Sequence, residues 1–154
     1  MATQKFSKFI RPDVGRSGPI TDRDLYILDA VLRYRFCSAA QIVWLAGNED
    51  VTHRRLGRLW ERGLVARWAF PGFRAHSEFY YYLDSREPLD LLAERRNLEI
   101  HPQMLEEIRS HREKNYAGAA IRRQHMQLGF PNHALMLSRM HFMVEMARRK
   151  SGVR

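Results

Sequence analysis

Arg54, Arg55, Arg58 and Arg62 recur at spacings that a helix gathers onto one side. At about 100° per residue they fall within one arc of about 100°. Thr52, Leu56, Leu59 and Trp60 fall on the far side. The apolar stripe docks the helix on something, and the arginine stripe faces away. A helix face that is merely solvated usually mixes signs at i, i+4, and here Glu61 is the only acid nearby. Guanidiniums so placed repel one another unless a polyanion lies beside them, and nucleic acid is the usual one. The excess continues downstream, with six arginines against one acid between Val51 and His76. Arg67, Arg74 and His76 therefore join the candidate contacts. Thr52 and His53 lie near the helix start, where base edges are usually met, although packing or capping would explain them equally well.

Other chemistries find no support in the residues. The chain has seven histidines, among them the evenly spaced His125, His133 and His141. The break at Gly129-Phe130-Pro131 separates these three, and no Cys-x-x-Cys or His-Glu-x-x-His accompanies them, so no metal is expected. Cys37 lies at an apolar helix junction and reads as a buried, inert thiol. Tyr80-Tyr81-Tyr82 could serve as strand-nicking nucleophiles only beside a histidine metal cluster, which is missing. No glycine loop suits a phosphate. The expectation is a binding protein without catalysis, cofactor or small-molecule ligand.

Composition agrees with this. Lys and Arg total 26 against 17 acids, for a net charge of +9 and a pI near 10.3. At 45% hydrophobic residues, a folded basic protein is expected rather than a disordered tail. No apolar run reaches the length of a membrane span, and residues 1–15 lack the apolar centre of a signal peptide. The lone cysteine excludes an internal disulfide and fits a reducing compartment, so a cytoplasmic location is expected.

The elements that must position the arginines can be read in order. Residues 1–19 form a flexible basic arm, with Lys5, Lys8 and Arg11 as candidate contacts. Thr21 opens a helix in a capping box with Asp24. Tyr34 to Cys37 close that helix, and Ser38 caps a second one with Gln41 in the reciprocal position. Gly47 stops it. Asn48 or Asp50 caps the arginine helix, which runs to Arg62 before Gly63. The period then changes. Residues 64–68 and 78–83 read as strands, with Phe79, Tyr81 and Leu83 alternating in the second, around a Pro71-Gly72 turn. Phe70 and Phe73 at that tip either insert into a groove or, more often, pack back. Ser85 caps a helix through Asn97, and Pro102 opens another. Gly129 and Pro131 break the helical pattern, and Asn132 caps a last helix with an unusually wide apolar arc.

A helix, a short helix, a tight polar turn, a basic third helix and a two-stranded wing make a winged helix-turn-helix at residues 20–86, followed by a helical extension at 87–154. The fold class expected is α+β, mostly α. The segments ITDRDLYILDAVLRYRFCSAAQIVWLAG and RRLGRLWERGLVARW, with the tyrosine-rich second strand, resemble the replication-relaxation family of winged-helix proteins from plasmids and other mobile elements. The helix led by His133 is also similar to that family's helix after the wing. The resemblance implies DNA binding in replication, mobilisation or transcriptional regulation of a mobile element. Members of the family often continue into a nuclease-like acidic domain. Here the sequence ends at Arg154, and no matching acidic cluster carries over.

The reading is a sequence-specific double-stranded DNA-binding protein. The alternative is an adaptor in which the winged helix is a scaffold and the C-terminal helices recruit a replication or transfer machine. The wide apolar arc of the last helix points to a homodimer, with Met140, Phe142 or Val144 at its seam.

Overall fold

A computed structural model describes residues 11, 18–68, 79–114 and 129–152. Among these, six helices surround a small antiparallel sheet, so the protein is α+β and mostly α. Helix α1 (Asp22–Tyr34) starts at the expected capping box. The Thr21 hydroxyl accepts from the Asp24 amide, and the Asp24 carboxylate accepts from the Thr21 amide. Two orphan amides at the helix start are satisfied together. At its end Arg35 takes φ 65°, turning the chain out of the helix.

That turn leads into strand β1 (Cys37–Ser38), which the periodicity had not revealed. Two residues are too short to show alternation. β1 exists because β3 (Tyr80–Tyr82) lies alongside, pairing Cys37 with Tyr81 and Ser38 with Tyr80. The sheet order is β1-β3-β2, with β2 spanning Ala66–Trp68. The expected alternation along β3 is absent: all three tyrosines are buried. Tyr81 faces the main core, while Tyr82 packs against Phe36 and meets His111 of α5 (Pro102–Lys114) edge to face. A strand covered on both faces carries no polar side.

Helix α2 (Ala39–Ala46) begins at the second expected capping box, Ser38 with Gln41, and ends at Gly47 with φ 68°. Helix α4 (Glu87–Arg96) departs from expectation at its start. Ser85 does not cap it: the Ser85 hydroxyl donates to the Gly63 carbonyl at 3.1 Å. Pro88 in the first turn, where no N–H is needed, pre-sets the helix instead. The last helix, α6 (Gly129–Ser151), starts earlier than expected. Pro131 sits within its first turn rather than breaking the chain, because a proline there forfeits no intrahelical bond. Asn132 is accordingly inside the helix and is not its cap.

One core unites these elements. Leu25, Ile27, Leu28 and Val31 of α1 meet Ile42 of α2, Leu56 and Leu59 of the arginine helix, and Leu64, Val65 and Leu83 around the sheet. Leu89 and Leu92 of α4 and Ile108 of α5 belong to the same cluster, so these helices close the core around α1. No helix among the described residues is long and apolar enough to cross a membrane.

Candidate nucleic-acid interface

Helix α3 (Glu49–Glu61) begins directly after a two-residue turn, Gly47-Asn48. Asn48 takes φ 44°, which asparagine tolerates better than most side chains, and its Oδ1 accepts from the Val51 amide at 3.1 Å. The turn is braced twice more. Thr52 Oγ1 donates to the Gly47 carbonyl at 2.6 Å, and Arg23 of α1 reaches the same oxygen at 3.5 Å. Leu56, Leu59 and Trp60 bury the inner face. The outer face of α3 is thereby held at a set angle to α1 and α2.

Thr52 is a correction to the expected contact set. It is fully buried, and its hydroxyl is committed to the turn. It fixes the junction between α2 and α3 and does not reach the surface. His53 is exposed, with Glu49 one turn back at 3.7 Å.

The four arginines divide into two kinds. Arg55 is three-quarters covered, and its guanidinium lies 3.2 Å from Asp24 Oδ2. That same oxygen accepts from the Thr21 amide and hydroxyl, so Asp24 serves the start of α1 and an arginine on α3 together. Arg62 donates to the Gly18 carbonyl at 2.5 Å, tying the segment before α1 to the end of α3. Arg54 and Arg58 are exposed. Arg54 reaches only its own helix, at the Asp50 carbonyl, and neither has an acidic partner among the described residues. Val51, Arg54, Arg55 and Arg58 line an open recess of about 120 Å³. Its lining is three guanidiniums and one valine, a shape and charge suited to an anionic group.

Arg67 leaves the expected set as well. Its guanidinium lies 3.5 Å from the centre of the Trp60 ring and 4.5 Å from that of Phe79. Burial pulls its pKa down, and a hydrogen bond with Tyr81 works against that. An arginine held between two rings is a packing element of the sheet. Arg11 is also turned inward: it donates to the Val65 carbonyl at 3.0 Å and lies beside Asp84, whose carboxyl burial pushes up. Lys5, Lys8, Phe70, Phe73, Arg74 and His76 lie outside the described residues.

The remaining candidates for chemistry are enclosed. Cys37 is buried, and desolvation pushes its thiol up to about 12. Burial likewise raises the Tyr81 phenol. Among the described residues no cluster of histidine, cysteine or carboxylate groups could hold a metal.

At the other end of the chain, α6 docks through an unexpected side. The Ser138 hydroxyl donates to the Phe36 carbonyl, and Phe142 meets Tyr34 and Trp44 edge to face. Glu145 accepts from Arg148 and Arg149, and Arg149 covers Trp44. Of the three expected seam residues, Phe142 is therefore committed within the chain. Met140 and Val144 are exposed, at 55% and 68%.

Sequence reasoning missed Asp24 and Arg23. The capping role of Asp24 is visible in Thr21-x-x-Asp24, but the second role needs α3 laid across α1, which no local pattern encodes. Comparison of the chain with protein-family models, with curated proteins and with solved structures gave no match.

Proposed function

We propose that residues 20–86 form a winged helix-turn-helix that binds double-stranded DNA without catalysis, with α3 as the recognition helix. The order α1-β1-α2-α3-β2-β3 supports this reading, with β2 and β3 as the wing. The observation that carries it is the outer face of α3. Arg54 and Arg58 stand exposed with no acidic partner among the described residues, beside Arg55 and Arg62 that are anchored from behind. A helix with its base pinned and two long cations free matches what a major groove needs. The anchored arginines set the register, and the free ones reach base edges or phosphates. Preorganisation of that kind lowers the ordering cost of binding. A part in replication, mobilisation or transcription of a mobile element rests on the resemblance alone.

The test is duplex binding by fluorescence anisotropy across a salt series, with binding selection on random duplexes to define the site. Replacing both Arg54 and Arg58 with Ala is expected to weaken binding by about 1–3 kcal/mol for each arginine that meets a base. For each one that meets a phosphate, the salt slope should flatten by about one unit. A folded double variant that binds duplex like the parent at moderate salt overturns the reading.

A further inference from the structure

The exposed side of α6 is apolar, and basic residues flank it. Met136, Leu137, Met140, Met143 and Val144 are between 42% and 68% exposed. On a helical wheel they share an arc of about 120°. Arg139 and Lys150 border the arc on one side, and His141 and Arg148 on the other. The only acid from 136 to 152 is Glu145, whose side chain is 14% exposed and taken up by Arg148 and Arg149. The opposite side of the helix is already used, through Ser138 and Phe142.

We infer that this face of α6 takes an amphipathic helix with acidic borders, supplied by a partner protein. Three observations select that occupant. The strip follows i, i+4, i+7 spacing over more than two turns, which is the footprint of one helix lying in a groove. Three of its five residues are methionines, whose unbranched, polarisable side chains repack around varied apolar partners. The charge excludes a second copy as the favoured occupant. Two copies packed antiparallel through this arc would set Arg139 and Lys150 of one against those of the other, while Glu145, the single acid, is taken up by Arg148 and Arg149 of its own helix. An acidic-bordered helix meets opposite charge in either direction. The inference is independent of the DNA reading, since it uses no residue of α3.

The test uses the full chain labelled with ¹³C at its methionine methyls. The probe is a helical peptide with Leu at i, i+3, i+4 and i+7 and Glu at the bordering positions, against the same peptide carrying Lys in place of Glu. Expected is a shift of the Met136, Met140 and Met143 methyls by the Glu peptide, with Met104 unmoved. The Lys peptide should bind at least about tenfold more weakly, given the charge at the borders. Met143→Glu and Val144→Glu change exposed residues, so they should fold normally by circular dichroism and weaken the Glu peptide by a similar factor. Four results would overturn the proposal. These are absence of methyl shifts, equal binding of both peptides, light scattering that shows a dimer which V144E splits, and anionic vesicles or a DNA duplex moving the same methyls when the peptide does not.

Discussion

Helices α3 and α6 are both amphipathic, yet they are seated in opposite ways. In α3 the apolar side is buried and the charged side faces out. In α6 the docking side includes Ser138, Phe142 and Arg149, and most of the described apolar side is left outside. The difference lies in what each helix found when it packed. α3 closes directly over α1 and α2, where only Leu56, Leu59 and Trp60 could fill the space. α6 reaches a core already closed by α4 and α5, and meets a surface made of the Phe36 carbonyl, Tyr34 and Trp44. A surface that offers a backbone carbonyl and aromatic edges rewards a hydroxyl and a ring more than a row of methionines. Amphipathic pattern predicts orientation when a helix builds the core and fails when it is laid on a finished one.

The comparison can be broken most directly by truncation. Leu59→Ala on α3 is expected to cost about 2–5 kcal/mol of unfolding free energy, the usual range for a fully buried leucine. Met143→Ala on α6 is expected to stay within about 0.5 kcal/mol. Denaturant unfolding of both variants measures the contrast, and similar losses would mean that the outer face of α6 is covered in solution.

The anchoring of α3 offers a smaller effect. Asp24→Ala removes a helix cap and the partner of Arg55 together, so a loss of about 1–3 kcal/mol is expected. A double-mutant cycle with Arg55→Ala should return a coupling of about 0.5–3 kcal/mol, because the Arg55 guanidinium donates directly to Asp24 Oδ2. Strict additivity would show that the pair does not hold α1 to α3.

On α6 the matching substitution is Phe142→Ala. This half-buried ring should cost about 1 kcal/mol, and amide exchange should quicken through α6 while α3 stays protected. Equal loosening of both helices would erase the distinction between them.

The smallest signal is expected at Cys37, in the strand β1. Burial raises its thiol to about 12 from an ordinary 9.0, so at mild pH the folded protein should resist alkylation and the unfolded chain should react. For the same reason the contribution of this group is present below the unfolded value and is lost as pH rises from about 9 towards 12. Stopped alkylation followed by mass spectrometry reads the first effect, and rapid labelling of native protein would contradict it.

The sequence by itself determined what depends on near neighbours. Thr21 with Asp24 and Ser38 with Gln41 specify two helix starts, because each capping box closes within four residues. Gly47 and Gly63 mark their turns by needing positive φ. The two faces of α3 follow from 3.6-residue periodicity over its thirteen residues. Only the tertiary structure decided which arginines stand free. Arg55 answers Asp24 from 31 positions away, Arg62 answers Gly18 from 44, and Arg67 lies between Trp60 and Phe79. It also decided that Thr52 turns inward, that Cys37 and Ser38 become a strand, and that α6 leaves Met136, Met140 and Met143 outside. Each of those outcomes depends on a partner brought up by the fold, and a pattern of spacing along the chain carries no record of what will lie across from it.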